Sequence, residues 1–411
     1  MSNYYIANQI QTLMGRDAVR LRPGMYIGDN RDKGLHQLVY ELIENSLEES
    51  LNGYGTKIDL TIHSDNSITV TDYGRGLPVN LHESGICLAE LFLTKLQAGE
   101  KFDSPAYGKT KKHFGVGLPC VNFLSEWLKL EIRSRGKIHT QQYQIGLPIS
   151  PLESAGRSTQ TGTKITFKPD PLVMHVSEFN FETILWKLQQ KAFLNSRVRF
   201  LLIDEREGGK GYVKLYYPKG LISFVQFLNK GHRTIHSTPI SFEKLAHAQE
   251  DYFKPAYLEI APSKENIGIN FAFQYNDSLT HQIFTFANQI SIPDGGTHLA
   301  GFYAGLTRAL NQHAKSSGIA KSKTALLTGK QTRTGLVALV AITLPYPKFE
   351  GSFKNKLRSK IRGMVESFVY QNLISYFQNN PAIAQAITTA LRIAHLRRAT
   401  TRLKTKDLGE F

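Results

Sequence analysis

The sequence predicts an α+β protein with more than one domain, and three observations support this class. The chain has 411 residues, of which 41% are hydrophobic and 10% aromatic, enough to bury more than one core. Leu35–Leu51 repeats apolar residues at three- and four-residue steps, which is the spacing of an amphipathic helix. Lys57–His63 and Ser67–Asp72 alternate apolar and polar residues on either side of a Ser-Asp-Asn turn, which predicts a β-hairpin.

The predicted helix carries polar residues beside its apolar face. Glu41, Asn45 and Glu48 fall on one stripe, because helical side chains three and four positions apart lie on the same side. A carboxylate and an amide one turn apart can hold a metal ion and a water molecule together. The same residues equally fit a solvated helix flank, so their meaning depends on whether the chain also supplies a nucleotide site.

Two glycine-rich turns and a strand supply the remaining parts of such a site. The predicted hairpin runs into Asp72–Pro78, where a carboxylate at a strand end can accept a hydrogen bond from an exocyclic amine. The glycines of this D-x-G-x-G turn allow the backbone to pass close to a ligand. His113–Gly117 precedes a predicted helix with the sequence LPCVNFLSEWL, and glycine-rich backbone at a helix start suits phosphate. Thr161–Thr163 leads into a predicted strand.

Further strands are predicted from alternating apolar residues, at Lys129–Ser134, Gln141–Ile145 and Gly162–Phe167. The pattern changes near Tyr217–Gly220, which predicts a domain boundary there. The second half is predicted to hold a hairpin, a helix, a buried strand and a long helical segment with a break at Asn379–Pro381. Their predicted ranges are Ile269–Tyr275 with His281–Ala287, Gly296–Lys315, Gly335–Leu344, and Ser352 to about Arg398.

Charge is distributed unevenly along the chain. The formal net charge is +16, and residues 301–411 contain 18 lysines and arginines against four acids. This excess predicts a polyanionic partner, most simply nucleic acid, near the C-terminal part; a generic basic surface is the alternative. The two cysteines lack metal-ligand spacing, which favours a reducing, cytoplasmic location. No signal peptide or membrane span is predicted from the sequence.

The order of these pieces resembles the GHKL ATPases, and no Walker-type phosphate loop is present. Three further segments resemble the B subunits of DNA gyrase and topoisomerase IV over about residues 1–400: DAVRLRPGMYIGD, AGEKFD and DGGTHLAGF. The resemblance implies a two-layer α/β sandwich of the GHKL (Bergerat) type, with an N-terminal dimerisation arm at about residues 1–20. It places this ATPase domain at residues 1–217. A smaller β-α transducer domain with a long C-terminal helix would follow at 218–398, and a basic tail at 399–411.

The resemblance also implies roles for individual residues. Glu41 matches the general base that orients the attacking water, and Asn45 matches the Mg²⁺ ligand. Asp72 matches the acid that reads adenine, with Thr163 beside it. Lys354 matches the transducer lysine that senses the γ-phosphate. The remaining matches are contacts to the nucleotide from the base-flanking turn, the lid, the phosphate loop and the partner-crossing arm: Arg75, Gly76, Pro78, Lys101, Tyr107, Gly115, Val116, Gly117, Tyr5 and Ile10.

The chain departs from the family pattern around the phosphates. Gln37 stands where the family usually has a histidine that helps to polarise the base. Lys111 and Lys112 occupy lid glycine positions, Phe114 follows a displaced histidine, and Ser352 replaces part of the usual Q-T-K loop. These changes concern lid closure and the rate of hydrolysis more than ATP binding.

The function that the resemblance implies is the ATP-operated gate of a type IIA topoisomerase, which uses ATP and Mg²⁺ and dimerises to capture a DNA duplex. No segment resembles the metal-binding TOPRIM domain, so we expect no DNA cleavage by this chain alone. We expect the chain to be the ATPase region of a longer protein that works with a gyrase A-type subunit. The alternative is a slow or inactive ATP- and DNA-binding clamp, a free-standing relative of gyrase B.

Overall fold

The computed structural model describes residues 14–98, 115–176, 178–247, 266–320, 322, 325–351 and 354–407. Its contacts divide the chain into two compact units, Met1–Pro218 and Lys219–Phe411, each with its own hydrophobic core.

The first unit is a mixed sheet covered by helices. Its helices are α1 (Arg16–Leu21), α2 (Gly24–Ile27), α3 (Asp32–Leu51), α4 (Leu88–Thr94), α5 (Gly117–Phe123) and α6 (Phe181–Leu194). Its strands are β1 (Lys57–Ile62), β2 (Ile68–Asp72), β3 (Ser125–Ser134), β4 (Lys137–Gln144), β5 (Leu147–Pro148), β6 (Glu153–Arg157), β7 (Gly162–Pro169), β8 (Arg199–Asp204) and β9 (Gly211–Leu215). The sheet order is β5-β4-β3-β7-β2-β1-β8-β9, with β6 paired to β4.

One face of this sheet forms the core. Leu60 on β1 lies opposite Val70 on β2, which lies opposite Ile165 on β7, and Ile165 lies opposite Leu130 on β3. All four side chains are buried with the apolar residues of α3, α5 and α6. Side chains alternate across a strand, so these four point to the same face of the sheet. The helices cover that face, and sheet and helices together form the predicted two-layer sandwich.

Helix α3 begins three residues before the first apolar residue of its pattern, and the preceding segment fixes its start. The carboxylate Oδ1 of Asp29 accepts hydrogen bonds from the backbone N–H groups of Arg31 (3.0 Å) and Gly34 (2.6 Å). A Cβ at Gly34 would lie 1.9 Å from the carbonyl oxygen of Asp29, so this contact requires glycine. The helix then presents one face to β1, β2 and β7 as its periodicity predicts.

The predicted helix after Gly117 is too long. Helix α5 ends at Phe123, and Ser125–Ser134 forms strand β3. Leu128, Leu130 and Ile132 alternate in this segment, and their pairing with β7 and β4 extends the strand upstream into the region assigned to a helix. Tertiary pairing therefore overrides a local pattern that fits a helix.

The second unit combines a five-stranded sheet with long helices. Its helices are α7 (Leu221–Leu228), α8 (Thr297–Ser316), α9 (Arg362–Asn379) and α10 (Pro381–Asp407). Its strands are β10 (Ile240–His247), β11 (Asn266–Tyr275), β12 (Gln282–Ala287), β13 (Ile290–Ser291), β14 (Leu336–Thr343), β15 (Phe349–Glu350) and β16 (Lys356–Leu357). Helices α8 and α9 pack together, and the predicted break falls between α9 and α10. Residues 399–407, assigned to a basic tail, continue α10.

Two predictions for this unit are wrong. Strands β11 and β12 do not form a hairpin, because β14 lies between them, antiparallel to β11 and parallel to β12. Strand β14 is almost fully buried. Its place between β11 and β12 gives both of its edges a hydrogen-bonded neighbouring strand. The long helical segment begins at Arg362 rather than at residue 352, since Lys354 has a φ of 54° and Lys356–Leu357 pairs with β15. A left-handed residue cannot continue a right-handed helix.

Candidate nucleotide site

Asp72 lies buried at the end of β2 and is held by backbone donors. Only 4% of the Asp72 surface is exposed to solvent. Oδ1 accepts hydrogen bonds from the N–H groups of Gly74 (2.9 Å) and Thr163 (3.2 Å), and the Ser46 side chain of α3 also hydrogen-bonds to the carboxyl. Burial raises the pKa of Asp72 to about 6, against the opposing effect of the two N–H groups. The result is a desolvated acceptor of fixed orientation.

Glycines bring the two segments of this pocket together. Gly162 has a φ of 136°, and a Cβ there would lie 2.1 Å from the carbonyl oxygen of Asp72. Gly76 has a φ of 82°, and its Cβ would lie 3.0 Å from the carbonyl oxygen of Arg133. The Thr163 hydroxyl accepts a hydrogen bond from the Leu77 N–H at 3.1 Å. The D-x-G-x-G turn is thus pressed against the start of β7, and Asp72, Gly76 and Thr163 converge as predicted.

The base-flanking turn has a partner on α3 that the sequence motifs did not reveal. Arg75 donates from Nε and Nη2 to the two carboxylate oxygens of Glu49, at 3.0 and 2.7 Å. The predicted stripe on α3 included Glu48, but the bidentate contact to this turn comes from Glu49. The sequence could have indicated this contact, because Glu41, Asn45 and Glu49 follow one another at four-residue steps and so lie on one side of the helix.

Glu41 lies against the beginning of α5. A Cβ at Gly117 would lie 2.2 Å from Oε2 of Glu41, so any side chain at this position would displace the Glu41 carboxylate. Gly115 has a φ of 62°, which glycine adopts without strain. The structure therefore brings the predicted base and the Gly115–Gly117 segment together, with Val116 immediately before α5.

Gln37 takes the place of the expected histidine and orients the same carboxylate. Its Nε2 donates a hydrogen bond of 2.6 Å to Oε1 of Glu41, one helical turn away. The nearby Cys120 thiol has its pKa raised to about 12, first by burial and then by the charge of Glu41. The thiol therefore stays neutral at physiological pH and does not compete as an acid or base.

The donor set near Glu41 fits one magnesium ion bound with phosphates. Asn45 lies one turn after Glu41 on α3 and is partly buried. Mg²⁺ prefers oxygen ligands, keeps several waters and is usually held by one or two side chains together with substrate phosphates. In the part of the chain that the structure describes, no group of three or more His, Cys, Asp or Glu residues could hold a metal without such help. The assignment of Asn45 stays a prediction.

The remaining predicted residues are less constrained. Pro78 follows Gly76 in the base-flanking turn, and its carbonyl oxygen accepts from the Cys87 thiol at 3.8 Å. Lys354 lies in the second unit between β15 and β16, with Nζ 6.0 Å from the centre of the Phe349 ring. Tyr5, Ile10, Lys101 and Tyr107 lie outside the described residues, and so do Lys111, Lys112, Phe114 and Ser352.

Family models match both units. Residues 30–172 match the family of histidine kinase-, DNA gyrase B-, and HSP90-like ATPases, and residues 220–407 match DNA gyrase B. Within the described residues, no helix is long and apolar enough to cross a membrane.

Relatives and solved structures agree with these models. The chain is 40% identical to the DNA gyrase B protein of Myxococcus xanthus, over 94% of this chain and 45% of the relative. It is 38% identical to the DNA topoisomerase 4 B protein of Staphylococcus aureus, over 94% of this chain and 56% of that protein. The chain thus spans about half the length of these relatives.

A solved structure covers almost the whole chain. The 43K ATPase domain of Thermus thermophilus gyrase B, in complex with an aminocoumarin, superimposes with a TM-score of 0.75. It is 32% identical and covers 95% of this chain, which in turn covers 97% of that domain. The site geometry, the two family models and this match over both units lead to one conclusion: the chain belongs to the DNA gyrase B family, within the ATPase region that the B proteins of gyrase and topoisomerase IV share.

Proposed function

We propose that this chain binds and hydrolyses ATP as the gate of a type IIA DNA topoisomerase. The observation that carries the proposal is the arrangement of two acidic residues around glycine-lined backbone. Asp72 is a buried acceptor suited to an adenine amine, and Glu41 lies against Gly117, where the phosphates would be. Such a site recognises the base at one end and leaves the phosphates at the other, where phosphoryl transfer to water depends on positioning and on compensating positive charge.

The residues near Glu41 support a general-base role. Gln37 holds Oε1, so the carboxylate is oriented before a water molecule arrives. We assign to Glu41 the positioning of that water and the acceptance of its proton, and to Asn45 the contact with Mg²⁺. A bound Mg²⁺ would neutralise phosphate charge. Lys354 would add positive charge at the γ-phosphate. Lys101 and Tyr107 would make polar contacts to the nucleotide from the lid, and Tyr5 and Ile10 would belong to an arm that crosses to a second copy.

The domain assignment follows from the same proposal. We assign residues 1–217 to the ATPase domain with its arm, 218–398 to the transducer and 399–411 to a basic tail. The relatives are named as the B proteins of DNA gyrase and topoisomerase 4, which supports partnership with an A-type subunit and DNA. We propose that two copies close on ATP in the cytoplasm and that DNA cleavage is left to other parts of the assembly.

A basic hollow in the second unit supports the DNA partner. This hollow, of about 400 Å³, is lined by Leu279, Thr280, His281, Lys330, Arg333 and Thr334. Arg333 is anchored because its Nε donates to the Gly329 carbonyl at 2.8 Å and its guanidinium lies 4.6 Å from the Tyr303 ring centre. No acid is among the described residues lining the hollow. An open surface of this kind suits phosphate groups.

Replacement of Glu41 tests the proposed reaction. We expect Glu41→Ala to lower ATP turnover at least about a hundredfold, since it removes the general base, while dimers still form with a nonhydrolysable ATP analogue. Steady-state phosphate release and sedimentation with the analogue measure the two effects. Glu153→Ala, at an exposed position of β6, is the control.

The outcomes of this experiment separate the alternatives. Hydrolysis by Glu41→Ala at the parent rate would show that the assigned base is wrong. A parent chain that dimerises with the analogue but does not turn over would instead be the slow or inactive clamp. A parent chain that neither binds nor hydrolyses ATP would exclude the proposed function.

A further inference from the structure

The guanidinium of Arg75 is fixed from one edge by Glu49. Nε donates to Oε2 at 3.0 Å, Nη2 donates to Oε1 at 2.7 Å, and the Arg75 backbone N–H donates to Oε2 at 3.0 Å. Both side chains are mostly buried, at 29% and 19% exposure. Two parallel hydrogen bonds to a carboxylate define the plane of a guanidinium as well as its position.

Tyr54 covers this plane. The Cζ atom of Arg75 lies 4.1 Å from the centre of the Tyr54 ring, which is a close cation–π distance. The contact comes from a residue outside every sequence motif of the site. In the sequence, the contact could have been found only from the position of Tyr54, an aromatic residue just after the helix that bears Glu49.

The backbone fixes where the Tyr54 ring lies. The Tyr54 N–H donates to the Glu49 carbonyl at 2.9 Å, a capping hydrogen bond that ties the residue to the end of α3. Gly55 follows with a φ of 72°, and a Cβ there would lie 2.6 Å from the carbonyl oxygen of Tyr73. The turn is therefore pressed against the end of β2, next to the D-x-G-x-G turn. Glu49 and Tyr54 consequently reach Arg75 from one continuous segment of the chain.

We propose that Tyr54 is a positioning residue of the nucleotide site, which with Glu49 holds the Arg75 guanidinium as a flat, preformed wall beside the adenine base. This inference rests on the proposed function and on the family resemblance, which assigns Arg75 to the turn that flanks the base. An Arg75 side chain that is already held in its bound orientation loses less conformational freedom when ATP binds. The preorganisation therefore increases the affinity for ATP. The reaction occurs at the phosphates, so Tyr54 affects ATP binding and not the chemical step.

Nucleotide binding by four variants of the full chain tests the inference. We expect Tyr54→Leu to weaken binding of a nonhydrolysable ATP analogue by about two- to fivefold, the range expected for an exposed cation–π contact. KM for ATP should rise by a similar factor with kcat unchanged, and Tyr54→Phe, which keeps the ring, should recover the affinity. In an Arg75→Gln background, Tyr54→Leu should change affinity by less than about 1.5-fold, because the coupled partner is gone.

Tyr212→Leu is a matched control. Tyr212 is an exposed tyrosine of the same unit, and Lys214 lies 5.4 Å from its ring centre, outside the nucleotide site. The inference is overturned if Tyr54→Leu binds the analogue like the parent, or if its effect persists at full size in the Arg75→Gln background. Failure of the parent chain itself to bind the analogue would instead overturn the proposed function.

Discussion

Two charged regions, one in each unit, follow opposite designs. Asp72 is buried, carries one negative charge and is held by backbone donors from β7 and from its own turn. The basic hollow of the second unit is open, with His281 and Lys330 exposed and two positive side chains unaccompanied by a lining acid among the described residues. A buried carboxylate can distinguish one donor from another, whereas exposed cations attract any array of phosphates.

The difference lies in desolvation. A buried acceptor has already lost its water, so a wrong partner leaves it unsatisfied at a cost of roughly 1–3 kcal/mol or more. An exposed lysine keeps its water, and its contribution is reduced by salt. We therefore expect large effects from single changes in the first region and small, salt-dependent effects in the second.

Among changes in these two charged regions, the largest effect is expected from Asp72→Asn. The amide removes a charged acceptor, and hydrogen bonds to charged groups contribute about 1.5–3 kcal/mol, so affinity for an ATP analogue should fall by about ten- to a hundredfold. Titration calorimetry at pH 7.5 measures the loss. Asp65→Asn, in the exposed turn between β1 and β2, is the control, and parent-like binding by Asp72→Asn would contradict adenine recognition by this residue.

A pH series should show two opposite trends from the same carboxyl. Burial raises the pKa of Asp72 to about 6, above its ordinary value of 3.8. ATP affinity should fall by up to about tenfold per pH unit below pH 6, because the protonated, neutral acid is a much weaker acceptor for the adenine amine. The folded state binds a proton between pH 4 and 6 that the unfolded state does not. The contribution of Asp72 to folding stability therefore increases as pH falls through 6 and is lost as pH rises, by about 3 kcal/mol in total.

Asp72→Asn isolates these trends from the other titrating groups. The difference between parent and variant, measured by calorimetry and by urea unfolding from pH 4.5 to 8, should contain both slopes. Equal pH dependence of the two proteins would show that Asp72 titrates outside this window and that the pocket is less desolvated than its burial indicates.

The smallest effect is expected from Lys330→Gln in the basic hollow. Removing one exposed phosphate contact should weaken binding to a DNA duplex by about two- to fourfold at 0.1 M salt and reduce the slope of log affinity against log salt by about one. Fluorescence anisotropy over a salt series measures both. Lys360→Gln, exposed in the same unit outside the hollow, should leave the slope unchanged, and equal slopes for both variants would remove the hollow from the DNA interface.

Local patterns in the sequence determined much of the first region. Helix α3 and the β1–β2 hairpin followed from periods of 3.6 and 2, and Asp72, Gly76 and Thr163 converge as the motif order predicts. Helix α3 and the hairpin depend on short segments whose side chains and turns are set by neighbours in the chain. The approach of Asp72 to Thr163, 91 positions apart, and of Glu41 to Gly117 was expected from the family resemblance and not from a local pattern.

Tertiary structure decided what depends on distant segments. The insertion of β14 between β11 and β12 buries the most apolar strand on both edges, which no turn signal at Asn276–Ser278 could reveal. The end of α5 at Phe123 depends on pairing with β7, about 40 residues later. The bidentate hydrogen bonding between Arg75 and Glu49 likewise joins residues 26 positions apart. The sequence by itself determined which residues carry charge and where the chain turns. Only the packed structure decided which charges lose their water, because desolvation depends on every segment that closes around them.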